Sequence, residues 1–289
     1  MKPHAAPLLS LLPLLLTGPL GCGEGEPEQL ALDIPFEVRV GNEPFACGKT
    51  YTGLGMTATT YEPMEFRLYI HDVRLLSEDG REVPVTLQED RVWQTQGVAL
   101  LDFADRTGLC VNGTAGTNTR VRGTAPAGRY RGLSLRVGIP EALNHQDVST
   151  APAPFNDTGL FWSWRYGYLF ARIEGRTAGL QEGHFLHLGS TDCAPPAEGQ
   201  SNGTTGCAFP NRPAFRLDGF EPGSSKVVLD LAAVLAGSNL DVNAEVPNTA
   251  IGCMSQQEDP DCAPVFSRLG LAFGDTPANL SAQVFLRLE

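Results

Sequence analysis

The sequence predicts an all-β protein: an antiparallel β-sandwich with long disulfide-pinned loops and one or two short helices. Three observations carry this. Apolar residues recur at every second position in several segments, as in Tyr130-Arg131-Gly132-Leu133-Ser134-Leu135-Arg136-Val137, the pattern of a half-buried strand. Gly, Pro and Asn punctuate between such segments, as at Pro126-Ala127-Gly128 and Asn211-Arg212-Pro213. Helical periodicity is sparse.

The chain opens on Met1-Lys2-Pro3-His4 and a leucine-rich stretch (Leu8, Leu9, Leu11, Leu12, Leu14, Leu15, Leu16) before Gly21-Cys22. A basic start, an apolar middle too short to span a bilayer and a small residue at the break describe an export signal over residues 1–21. Cleavage before Cys22 would leave an N-terminal cysteine, as in bacterial lipoproteins, so Cys22 is the expected lipid anchor. Residues 22–31, rich in Gly, Glu and Pro, are expected to be a flexible tether. Residues 32–289 then form one elaborated β domain.

Along that domain the expected strands are Ile34–Val40, Glu65–Leu76, Val83–Leu87, Ala99–Phe103, Tyr130–Ile139, Leu160–Ile173, His184–Leu188, Ala214–Phe220, Lys226–Leu231 and Gln283–Leu288. Asp230–Gly237 suits a short helix with a glycine stop, and Pro264–Leu271 another turn or two. Long loops are expected over Ser190–Asn211 and Asn239–Val265.

The seven cysteines leave six once Cys22 is assigned to lipid. An even remainder in an exported chain reads as a disulfide set. The simplest pairing is Cys193–Cys207 and Cys253–Cys262 as local loops, with Cys47–Cys110 as the long-range tie. Each would contribute about 2–4 kcal/mol by restricting the unfolded chain. Without a Cys-x-x-Cys pair, zinc-ribbon and thioredoxin-like chemistry are disfavoured, and without Cys-x-x-Cys-His so is covalent haem. The formal net charge of -12 and the lack of a basic stripe disfavour nucleic acid. Gly-x-Ser-x-Gly and glycine-rich nucleotide loops are also missing, which argues against a hydrolase or a nucleotide enzyme. The acidic turn Gln257-Glu258-Asp259-Pro260-Asp261 lacks the spacing of a calcium loop.

The densest chemical signal is Phe161-Trp162-Ser163-Trp164-Arg165-Tyr166-Gly167-Tyr168-Leu169-Phe170. Taken as one strand, it turns Trp162, Trp164, Tyr166, Tyr168 and Phe170 to one face. Alone, that face suits a tryptophan-rich sandwich core. Together with the histidine strand Gly183-His184-Phe185-Leu186-His187 and the loop Gly252-Cys253-Met254-Ser255, it points to a redox-active or soft-metal site. His184 and His187, three apart on a strand, should face opposite ways. With His4 in the leader, His71, His145, His184 and His187 remain as imidazole ligands. Histidine nitrogen with a thioether favours Cu(I), because soft sulfur selects soft metal.

Leu100-Leu101-Asp102-Phe103, Leu143-Asn144-His145, Phe161-Trp162-Ser163-Trp164 with Gly167-Tyr168, His187-Leu188-Gly189-Ser190-Thr191 with Cys193, and Cys253-Met254-Ser255 occur in an order that resembles the MbnP family. The likeness runs from about Ile34 to the C-terminus. It implies a periplasmic or outer-membrane-attached Cu(I)-binding protein, not an enzyme, that acts in copper homeostasis. It also implies a partner, a MauG-like dihaem cytochrome (MbnH), that oxidises the first tryptophan of Trp-x-Trp, here Trp162, to kynurenine. The expected copper ligands are His145 and His187, with Met254 and His71 behind them. Trp164 is expected to pack or to relay an electron hole. The alternative is a structural or adhesive surface lipoprotein whose aromatic face is core.

Overall fold

A computed structural model gives the fold and describes residue 1, residues 28–199 and residues 203–289. The expected leader beyond Met1, the Cys22 anchor and most of the tether lie outside the described residues. The first strand begins at Gln29 and runs to Val40, so the last three tether residues are strand. From Leu32 onward its inward side chains, Leu32, Ile34, Phe36, Val38 and Val40, are all buried. Strict alternation of this kind marks a strand with one face on the core.

The architecture is the expected β-sandwich. One sheet is ordered Leu286–Leu288, Val227–Asp230, Gln29–Val40, Arg120–Pro126, Thr86–Leu87. The larger sheet has the path Phe161–Ser163, Gly167–Thr177, Thr59–Ser77, Tyr130–Val137, Ala214–Asp218, with further strands hung on Thr59–Ser77 and Gly167–Thr177. Among the described residues, strand pairing within the sheets is antiparallel except that Gln29–Val40 runs parallel to Val227–Asp230. A single apolar cluster joins Ile34, Phe36 and Val38 of the first sheet to Leu68, Ile70, Leu101 and Leu133 of the second.

The long strand Thr59–Ser77 organises the larger sheet, pairing with Gly167–Thr177 on one side and Tyr130–Val137 on the other. From Glu65 to Val73 all but Asp72 are buried, because both faces are covered. Two charged residues are buried in this run. Arg67 is 2% exposed and Glu65 fully buried, and the guanidinium holds both Glu65 oxygens, at 2.9 and 2.6 Å. Its remaining nitrogen donates to Asp157 Oδ2 at 2.6 Å.

Several boundaries differ from expectation for local reasons. Val83–Leu87 is two pieces: Glu82–Pro84 pairs with the long strand and Thr86–Leu87 with Arg120–Pro126, so the chain changes sheet at Val85. Arg120–Pro126 itself was not expected, its arginines, Gly123 and Pro126 masking a short alternation. Leu160–Ile173 is a hairpin rather than one strand. The α-helices among the described residues are the short Glu141–Asn144, which was not expected, Leu231–Leu235, capped by the Asp230 side chain on Ala233 N, and Cys262–Leu269, stopped by Gly270 at φ 74°. The disulfides pair Cys47–Cys110, Cys193–Cys207 and Cys253–Cys262.

Arg67→Met should destabilise the protein by about 3–5 kcal/mol, since it leaves Glu65 charged and unpaired in the core. Adding Glu65→Leu should recover most of that loss. Urea denaturation of the two variants against the parent measures both.

Candidate functional site

The tryptophan segment turns back on itself. Phe161–Ser163 and Gly167–Thr177 are antiparallel, with Phe161 opposite Tyr168 and Ser163 opposite Gly167. Gly167 makes the turn possible. Its φ is +78°, and a Cβ there would meet the Asn144 carbonyl oxygen at 2.2 Å. Asn144 is fully buried against the turn, donating from Nδ2 to Tyr166 O and accepting from Tyr168 N at Oδ1.

The turn separates the two tryptophans, which a continuous strand would have put on one face. Trp164 lies edge-on to Phe161, with centroids 5.6 Å apart, and Phe161 lies edge-on to Tyr168 at 5.1 Å. Trp162 points the other way, edge-on to Tyr166 at 6.1 Å. Tyr168 is buried and its hydroxyl donates to Phe155 O. The aromatics therefore divide between core and surface.

Trp162, half-buried, forms one wall of an open cleft of about 800 Å³ that Tyr166, Phe209, Met254, Gln256 and Glu258 also line. The indole lies against Gly189, where a Cβ would sit 2.9 Å from ring atom Cζ3. Met254 reaches the same cleft because residues 253–255 run parallel beside His184–Gly189. Cys253 N donates to Phe185 O, His187 N to Cys253 O, and Gly189 N to Ser255 Oγ.

The histidines are dispersed around this cleft. His187 is two residues from Gly189 on the strand beneath the indole; its ring stacks on Phe185, with centroids 5.7 Å apart. His187 Nε2 stands 2.7 Å from Glu174 Oε1. Burial pushes the Glu174 carboxyl up, but hydrogen bonds from His187 and Arg172 outweigh it and hold the group below its ordinary value. His184 faces the other way, buried, with neither ring nitrogen hydrogen-bonded. Burial lowers its pKa to about 4.

His71 is buried in the larger sheet with Nδ1 2.8 Å from Gly138 O, paired in register with Val98 and Arg136, and does not line the cleft. Burial lowers its pKa to about 4 as well. His145 follows Asn144 and stands beside Glu141 and Cys207, also outside the cleft lining. The fold thus gathers Trp162 and Met254, sets His187 on the neighbouring strand, and keeps Trp164, His71 and His145 on separate contacts. Sequence reasoning missed Phe209 and Glu174, and named Tyr166 only as part of the aromatic face and Asn144 only as the neighbour of His145 in Leu143-Asn144-His145.

A histidine held neutral inside the native fold binds its proton first in the unfolded chain. His184 therefore costs no stability above pH 6.5 and removes it as pH falls from 6.5 toward about 4. Asp102 and Asp259, raised by burial to about 6, act with the opposite sign between their ordinary value and 6. His184→Gln should reduce the slope of unfolding free energy against pH by up to about 1.4 kcal/mol per pH unit in the histidine window. Denaturation at stepped pH measures the difference; an unchanged slope would show that His184 is protonated in the fold.

Comparison with known proteins agrees with this architecture. No curated protein sequence matches the chain. The solved structure of MbnP from Methylosinus trichosporium superposes with a TM-score of 0.80 at 30% sequence identity, covering 90% of this chain and 98% of that one. The sequence profile of MbnP matches residues 29–255, which include the Trp162 hairpin, both histidines of the His184–Gly189 strand and Met254. On that span and that likeness, the chain belongs to the MbnP family.

Proposed function

We propose that this protein is an exported, non-enzymatic copper(I)-binding protein of copper homeostasis, and that its site matures by oxidation of Trp162 to kynurenine. The observation that carries the reading is the pairing of Trp162 with Met254 in one open cleft. An intact indole offers a metal only an N–H, whereas a kynurenine offers an aryl amine and a ketone. The Met254 thioether supplies the soft donor that selects Cu(I).

His187 is the imidazole best prepared for this role. Donation of Nε2–H to Glu174 leaves Nδ1 with its lone pair, the carboxylate–histidine arrangement that orients metal-binding imidazoles. His71 is withdrawn from the proposed set, being buried with Nδ1 on Gly138 O.

The oxidation is a four-electron reaction. Two equivalents of peroxide are reduced to water while the indole C2–C3 bond breaks and each carbon gains an oxygen. Hydrolysis then releases the formyl group as formate. The proposed catalyst is a MauG-like dihaem cytochrome, which draws electrons from a ring at the surface. Trp162 meets that need in the open cleft; Trp164, equally half-buried, does not line it. Export follows from the leader, with a lipid anchor at Cys22, and three disulfides suit an oxidising compartment.

Tandem mass spectrometry after exposure to the dihaem partner and peroxide should place a net gain of one oxygen and loss of one carbon on Trp162, and leave Trp164 and Trp93 intact. Trp162→Phe should fold, since an aromatic ring still covers Gly189, yet lose high-affinity copper. Glu174→Gln should weaken copper about 10-fold or more through His187, while His184→Ala should not. A Trp162→Phe protein that binds copper as tightly as the parent would show that kynurenine is not part of the site, whereas neither kynurenine nor copper after exposure to the dihaem partner would favour the adhesive or structural reading.

A further inference from the structure

A second group of donors lies outside the tryptophan cleft. His145 Nε2 is 3.4 Å from Glu141 Oε1 and 3.9 Å from Cys207 Sγ, and the three donor atoms lie within 4.8 Å of one another. Local structure brings them together. The short helix Glu141–Asn144 sets Glu141 and His145 four residues apart on one side. The two-stranded ladder Thr191–Cys193 with Cys207–Phe209 holds Cys207 opposite Cys193. Donors on a tetrahedral ion, at bond lengths of about 2.0–2.3 Å, stand about 3.4–3.8 Å apart. The His145–Glu141 and His145–Cys207 separations are already close to that.

The surroundings favour ligation. Arg212 donates to Glu141 Oε2 at 2.8 Å, leaving Oε1 for His145, and is itself fixed by Ile139 O and the Phe170 ring. A second carboxylate oxygen held by a neighbour is how outer residues orient metal ligands. Asn144 Nδ2, 3.2 Å from His145 Nε2, favours the tautomer with a lone pair on that nitrogen. What blocks the site is the bond between the sulfurs, because the thiolate is the ligand. Of the six paired cysteines, Cys207 alone is not buried.

We infer that the Cys193–Cys207 disulfide covers a latent site for a divalent ion of the zinc class, ligated after reduction by His145, Glu141, Cys207 and Cys193. Two electrons and two protons pass to the disulfide from a dithiol, which becomes a disulfide itself. The ion then displaces the two thiol protons. Imidazole, carboxylate and two thiolates form a set that suits zinc, where a wholly soft set would suit Cu(I). The inference goes beyond the copper reading and shares neither Trp162 nor Met254 with it.

The test is zinc binding by the folded protein before and after mild dithiol treatment, with the reductant removed anaerobically and alkylation mapping used to establish that Cys193 and Cys207 are the pair opened. Reduction should tighten zinc by at least about 100-fold, and cobalt(II) should give the absorption of a tetrahedral thiolate complex. His145→Ala and the surface variant Glu141→Gln should each weaken zinc about 10-fold or more. Trp162→Phe should change nothing, which separates failure here from failure of the copper reading. Zinc binding that reduction leaves unchanged would overturn the inference. So would binding indifferent to both His145→Ala and Glu141→Gln, or binding that persists in Cys193→Ser/Cys207→Ser.

Discussion

A desolvated guanidinium in the middle of the longest strand constrains much of what surrounds it. Arg67 cannot lose its charge, so every donor around it must be met by protein. Glu65 takes two of its nitrogens and Asp157 the third. Burial works to lower the Arg67 pKa, yet the bond and field of Glu65, with Asp157 and Asp102 behind it, leave it raised. Asp157 is thereby fixed, and its other oxygen accepts from Gly159 N to start the turn Thr158–Leu160. Gly159 O accepts from Arg172, and Arg172 donates to Glu174, which also holds His187. One unbroken path of polar contacts thus runs from the core to the imidazole beside the cleft. Trp162 begins two residues after the turn that this path fixes.

Paired charge and covalent links divide the work between them. In the larger sheet a continuous apolar strand and a satisfied ion pair define the register around Arg67, with Cys47–Cys110 lying against Pro63 of the same strand. The segments that carry Met254 and Phe209 have little regular structure, and there the chain is tied by Cys253–Cys262 and Cys193–Cys207. The cleft therefore has one wall set by sheet packing and another set by disulfide-bound loops. Its sheet wall holds Trp162; its loop wall holds Met254 and Phe209.

The sheet elements were legible where only one face is buried, as in Tyr130–Val137, whose alternating pattern survives almost unchanged. They were not legible where a pattern runs through a turn. Trp162, Trp164, Tyr166, Tyr168 and Phe170 keep period two across the hairpin, so periodicity alone cannot show the reversal; Gly167 was the one residue that marked it. Arg67 was equally opaque, because an arginine between apolar residues looks like an outward-facing position until Glu65 and Asp157 are seen closing on it. The odd spacing of His184 and His187 did translate directly, since strand geometry leaves no other choice. His145 could not be placed from sequence, for Cys207 beside it comes from a distant ladder.

That spacing has a chemical consequence. One six-residue strand presents an imidazole to each side, and the two sides differ in water and partners. His184 enters an environment with no hydrogen-bonding partner among the described residues and is driven neutral. His187, three residues on, stays half-buried, with Nε2 2.7 Å from Glu174 Oε1 and its ring stacked on Phe185. Two residues of the same type thus differ in burial and in hydrogen-bond partners, and the difference between them comes from position rather than identity. The same logic separates Trp162 from Trp164: the turn at Gly167 assigns one indole to the packing around Phe161 and leaves the other at the mouth of the cleft. Both indoles are half-buried, so they differ in the neighbours the hairpin gives them rather than in exposure.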